Sequence, residues 1–366
     1  MLSRRLSSIT IFVSVFALRS AAAVVKRQQH NDAPTPGGDP WNGWSSLPDV
    51  TDATLYPTWS LGGDDDATIP LYLSADEDKP SITRAIIGLH GAWRDCWSNW
   101  NSVNNALYNL VDQNSTVDRT TISIMNPCFM AEKDVDAGAV SEGQLIWNDT
   151  TWISGHTNIG PDSLVDTVSS YDVVDRLVKH YQDTDAYPKL KTIVVMGHSA
   201  GAQQTQRYAA MRVSTKGDDS IHYWVANPGS FLWLSEDRPV PDDSCEGVDS
   251  YKYGLTDNFP AYSLADATEL GRDGIVDRYF GRTVNYASGL EDNGAGDTRC
   301  QAITQGSTHL ERGQNFEASI KDLNDGSLPS TQTVDYIEGV SHDGDGMMTS
   351  AQGMEKVRRP TFSACG

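Results

Sequence analysis

Thr192-Ile193-Val194-Val195-Met196-Gly197-His198-Ser199-Ala200-Gly201 is the stretch that decides the fold. An unbroken apolar run flows into a G-x-S-x-G turn, and residues 202–212 follow with no Pro or Gly. The pattern reads as a strand, a sharp turn and a helix. A turn so tight forces Ser199 into strained backbone angles, and only small neighbours tolerate the crowding. Gly197 and Gly201 supply that room, and Ala200 adds little bulk. The strain lifts the Ser199 hydroxyl above the sheet edge, at the N-terminus of the helix. There, free backbone N–H groups can hold a developing negative charge. The five letters alone arise by chance in a chain with 31 glycines. The strand before and the helix after give them meaning.

Working outward, apolar strand-like runs at 68–73, 85–89, 121–125, 222–226, 284–288 and 333–337 alternate with helical stretches at 97–111 and 171–181. This alternation predicts an α/β fold, a mostly parallel sheet with helices on both faces. Functional groups in such sheets gather at the carboxyl ends of the strands. Residues 235–277 are acidic and lack clear periodicity, and are expected to form a cap-like insertion over the site.

A serine hydroxyl needs a base, and His342 is the best placed of eight histidines, in the loop after the 333–337 strand. His309, in a polar stretch, ranks second. The base in turn needs a carboxylate. Asp292, right after the 284–288 strand, is the choice, with Glu291 as runner-up. For the oxyanion, one N–H is expected from Ala200 and a second from Ala92 or Trp93, in the Leu89-His90-Gly91-Ala92-Trp93 loop. Trp93, Trp97, Trp100, Trp147 and Trp152 cluster in loops near the site. Trp93 and Trp147 are the candidates for lining a substrate pocket.

On Leu89-His90-Gly91, Gly197–Gly201, the 289–292 loop and His342, the chain resembles the α/β-hydrolase superfamily, and more narrowly secreted fungal serine hydrolases of the esterase/lipase type. The resemblance runs across nearly the whole chain after the first 52 residues. It departs in having a single glycine after His90. It implies hydrolysis of a carboxylic ester, small or polymer-linked, through an acyl-enzyme. A serine peptidase or amidase on the same fold, and a catalytically silent binding protein, are the alternatives.

The whole chain bounds the setting. With 28 Lys+Arg against 49 Asp+Glu, its net charge of −21 repels nucleic acid and anionic membranes. It also suits work outside the cell at mildly acidic pH. Residues 1–23 read as a secretory signal: Arg4-Arg5, an apolar core and Ala21-Ala22-Ala23. Residues 24–52 read as a propeptide, with a dibasic Lys26-Arg27 site, and a mobile arm, and 53–366 as the folded domain. No later stretch is long and apolar enough for a membrane anchor. Five cysteines in a secreted chain suggest two disulfides. Placement in the expected fold favours Cys96–Cys128 and Cys245–Cys300, leaving Cys365, although spacing alone does not fix the connectivity. No metal or cofactor is expected, since the cysteines are widely spaced and no histidine cluster accompanies them. Asn114 and Asn148 open N-glycosylation sequons. A monomer is expected.

Overall fold

In a computed structural model, which describes residues 30–358, the alternating elements assemble into one eight-stranded sheet. The signal-like segment, Lys26-Arg27 and Cys365 lie outside the described residues. The strands are β1 (Ala53–Ser60), β2 (Thr68–Ser74), β3 (Arg84–Leu89), β4 (Ile122–Pro127), β5 (Thr192–His198), β6 (Ile221–Ala226), β7 (Thr283–Gly289) and β8 (Gln332–Ile337). Their spatial order is β8-β7-β6-β5-β3-β4-β2-β1. The pairings from β8 through β4 are parallel, while β2 runs antiparallel to both β4 and β1. Register aligns the ends that matter: Leu89 of β3 pairs with Gly197 of β5, and Ala226 of β6 with His198.

The helices that cover the sheet include α1 (Cys96–Gln113), α2 (Ser170–Tyr181), α3 (Ala200–Met211), α4 (Leu264–Phe280), α5 (His309–Leu323), α6 (Gly344–Thr349) and α7 (Ala351–Arg358). The period-2 geometry of β5 sends its apolar run to both faces. Ile193 and Val195 join one core with α2, α3, α4 and α5. Val194 and Met196 join the other with α1, α6 and α7. All four side chains are essentially removed from water, each contributing about 1.5–3 kcal/mol by burial. A continuous apolar run is what a strand covered on both sides requires.

Two expectations change, and two further elements escape the sequence reading. The arm is not loose across 30–52: Trp44 and Val50 are buried, Asn101 and Asn105 donate to the Asn31 carbonyl, and residues 38–39 pair with 43–44. Its large apolar side chains have a core to join, which its Pro, Gly and Asp content obscured. The excursion over the site ends at Ser263 rather than Asp277, because Leu264–Phe280 is the helix that crosses from β6 to β7. β1, which carries Pro57, is an exposed edge strand, where a missing N–H is tolerated. α5 is capped by Thr308, whose hydroxyl accepts from the Glu311 N–H. Its core-facing stripe includes Phe316 and Ile320 but also His309 and Arg312, which hid its periodicity.

The preferred cysteine pairs are both joined, Cys96 to Cys128 and Cys245 to Cys300. Among the described residues no helix is long and apolar enough to cross a membrane. Asn148 is exposed and Asn114 half-buried.

Candidate active site

The turn after β5 has the strain its sequence requires. Ser199 sits at φ 59° and ψ −120°. A side chain on Gly201 would place its first carbon 2.0 Å from the Leu89 carbonyl oxygen, and one on Gly197 would come within 2.3 Å of Gly201. Both glycines are therefore dictated by packing. The Ser199 N–H is taken by the Ala226 carbonyl at 3.0 Å, which anchors the turn to β6.

His342 and Asp292 converge on Ser199 from the ends of β8 and β7. Ser199 Oγ lies 2.9 Å from His342 Nε2, and His342 Nδ1 lies 2.7 Å from Asp292 Oδ2. A carboxylate can only accept, so Nδ1 carries the proton and Nε2 is left free to accept from the serine hydroxyl. The runner-up acid, Glu291, points to solvent, while Asp292 is 1% exposed. Burial pushes the Asp292 carboxyl up, but the neighbouring His309 and His342 more than offset this and hold it well below the usual carboxylate range.

Two loops hold these residues in register. The N–H groups of Leu290 and Glu291 donate to the carbonyls of Ile337 and Val340. Asn227 spans all three strand ends: its Oδ1 accepts from the Gly289 N–H at 2.8 Å and its Nδ2 donates to the Ser341 carbonyl at 3.2 Å. In the sequence Asn227 reads only as the residue that stops a strand before Pro228.

His342, not His309, is the histidine hydrogen-bonded to Ser199, yet His309 joins the same cluster. Its ring stacks on that of His342, with centroids 4.1 Å apart, and its Nδ1 lies 3.0 Å from Asp292 Oδ1. Asp292 is thus flanked by two imidazoles. His198 completes the group, with its ring centroid 4.5 Å from that of His342. Burial, helped by His342 beside it, pushes His198 down to about 3, which keeps it neutral. Asp292, His309 and His342 offer ligand atoms within 4.8 Å of one another. A cation held there would compete for the carboxylate and the ring nitrogen that already bond each other.

The loop after β3 supplies backbone donors. Among the described residues, the N–H groups of Ala92, Trp93 and Ala200 have no protein acceptor, and all three residues line space around Ser199. His90 shapes this loop from beneath. Its Nε2 accepts from the Phe129 N–H at 2.9 Å, so its Nδ1 carries the proton donated to the Gly91 carbonyl, also at 2.9 Å. Burial pushes His90 down to about 4, consistent with this neutral form. Behind the loop, Arg94 forms a buried ion pair with Asp134 at 2.6 Å and donates to the Pro40 carbonyl. Trp44 Nε1 donates to the Trp93 carbonyl at 2.6 Å. Residues read as a loose arm therefore brace the loop.

A cavity of about 580 Å³ on this side is lined by Gly91, Ala92, Trp93, Ser199, His342 and Asp343, among others. Trp93 is 57% exposed and lines it. Trp147 does not: it is fully buried, its ring packs edge-on against Phe129, and its Nε1 donates to the His156 carbonyl. Trp97, Trp100 and Trp152 are likewise core residues.

The sheet, its helices and the serine turn are those of the α/β-hydrolase fold. No family model matches the sequence, and a search of the curated proteins finds no match. Solved structures do share the fold. Poly(aspartic acid) hydrolase-1 from Sphingomonas sp. KT-1 is 19% identical, with a TM-score of 0.53, covering 82% of this chain and 96% of its own. LpqC, a poly(3-hydroxybutyrate) depolymerase from Bordetella parapertussis, is 17% identical, with a TM-score of 0.55, covering 83% and 93%.

Proposed function

We propose that this protein is a secreted serine hydrolase that cleaves carboxylic esters through an acyl-enzyme. The observation that carries the reading is the continuous line from Ser199 Oγ through His342 to Asp292, at 2.9 and 2.7 Å. His342 Nε2 takes the hydroxyl proton as Ser199 Oγ bonds to the ester carbonyl carbon. Asp292 stabilises the imidazolium and keeps Nδ1 protonated. The carbonyl oxygen, now an oxyanion, lies against the N–H groups of Ala200 and of Ala92 or Trp93. Each such donor is worth about 3–4 kcal/mol at the transition state. His342 returns the proton to the departing alcohol, and the same base then activates water to release the acid.

The names of the fold's neighbours, a hydrolase and a depolymerase, agree with a hydrolytic role and with a polymer-linked ester among possible substrates. The signal-like N-terminus, two disulfides and an exposed Asn148 sequon support secretion. In the test, Ser199→Ala abolishes turnover of 4-nitrophenyl esters and labelling by a fluorophosphonate, while the circular dichroism spectrum is unchanged. Wild-type rates in this variant would overturn the assignment.

A further inference from the structure

A second cavity, of about 410 Å³, opens on the other side of Ser199, and its lining holds two basic side chains against one carboxylate. It is lined by Gln203, Lys252, Asp297, Arg299 and His309, together with Ser199. Lys252 comes from the excursion after β6, and Asp297 and Arg299 from the loop after β7. The Cys245–Cys300 disulfide ties these two segments together. The one carboxylate lining the cavity is already engaged. Asp297 accepts from the Tyr253 hydroxyl at 2.7 Å and pairs with Arg299 at 3.1 Å. Among the described residues no carboxylate lies within ion-pair distance of the Lys252 ammonium. Just behind, Arg207 donates to the Lys252 carbonyl, Gln203 and Ser230, and has no carboxylate partner either.

A half-buried ammonium with no carboxylate in contact is costly, and Asp297, already shared by Tyr253 and Arg299, offsets that cost only from a distance. Burial, with Arg207 and Arg299 nearby, outweighs the pull of Asp297 and pushes Lys252 down to about 7. Surface chemistry does not explain the cluster, for the chain as a whole carries −21. A cation surplus held beside a nucleophile, in a cavity open to ligand, is what an anionic ligand group would complete.

We propose that this cavity is a carboxylate subsite, so that the preferred ester carries a free carboxylate, in its acyl or its alcohol part, that docks between Lys252 and Arg299. The proposal rests on reading Ser199 as the nucleophile. It makes Lys252 a specificity-determining residue rather than a catalytic one.

The test compares 4-nitrophenyl hydrogen glutarate with its neutral isostere, 4-nitrophenyl 5-methylhexanoate. A second pair, 3-carboxyphenyl butanoate and phenyl butanoate, carries the charge on the alcohol. All rates are taken above the Ser199→Ala background, because a glutarate half-ester also attacks itself. In one of the pairs the wild-type enzyme favours the anionic ester in kcat/KM by about tenfold, the worth of one charge-assisted hydrogen bond. Lys252→Met brings that ratio close to one, whatever happens to absolute rates. Free glutarate binds the wild type in calorimetry and binds Lys252→Met far more weakly. Neutral esters cleaved as fast as anionic ones in both pairs, with no glutarate binding, would overturn the subsite and leave the hydrolase reading intact. No ester turnover and no fluorophosphonate labelling would instead overturn the hydrolase reading, and glutarate binding would then decide the subsite by itself.

Discussion

At the scale of single residues, the carboxylate is where sequence and geometry separate neighbours. Asp292→Asn keeps the size of the side chain but offers the imidazole an amide, which favours the wrong tautomer; kcat is expected to fall by about 10³–10⁴-fold. Glu291→Gln, at a solvent-facing position, leaves it within about twofold. Because the folded protein holds Asp292 below its unfolded value of about 3.9, its ionisation adds stability above that pH and loses it as pH falls through the lower folded value. Urea midpoints of the wild type and Asp292→Asn should therefore draw together as pH falls from about 5 into the strongly acidic range. His309 acts through Asp292. His309→Ala should lower kcat about tenfold with little change in KM, and His309→Gln, which can still reach Asp292 Oδ1, should recover most of it. That Ser199, Asp292 and His342 converge is legible in the sequence, because each follows the end of a strand. His309 is visible in the sequence only as a second-ranked base, since its contact with Asp292 depends on where α5 docks.

At the scale of elements, the turn between β5 and α3 reverses a familiar sign. Gly→Ala in a helix ordinarily stabilises by about 1 kcal/mol. At Gly201 the added carbon would meet the Leu89 carbonyl oxygen at 2.0 Å, so Gly201→Ala should destabilise by about 1–3 kcal/mol and slow turnover, measured by chemical denaturation and ester kinetics. The central strands were read to within a residue or two, because a buried parallel strand is a run of apolar letters bounded by turn residues. The misreadings share a cause. Trp147 lies next to a site-forming loop in sequence, but its ring turns into the core. The segment 38–44 is polar in composition, yet Trp44 and the Pro40 carbonyl meet Trp93 and Arg94 of the loop after β3. Composition averages over a segment, whereas docking depends on one or two anchors. Trp44→Ala tests the anchor: the fold should persist with a lowered melting temperature, and kcat should fall more than KM rises, because the loop carrying the Ala92 and Trp93 donors loses its support.

At the scale of the whole molecule, local and global charge oppose each other. A net −21 produces a field that repels an anionic ester during approach, while the cavity lined by Lys252 and Arg299 attracts it on arrival. The two effects differ in range and therefore in their response to salt. At about 0.15 M the screening length is about 8 Å, which removes most of the long-range repulsion but weakens a partly buried contact much less. Raising ionic strength from about 0.01 M to about 0.2 M should thus increase kcat/KM for 4-nitrophenyl hydrogen glutarate about two- to threefold while leaving the neutral isostere unchanged. In Lys252→Met the salt response of the anionic ester should persist, since the global field survives the substitution, even though the preference for the anion is lost. A rate for the anionic ester that falls with salt in the wild type would mean that the cationic cavity dominates even at long range, and the opposition between surface and site would then be wrong.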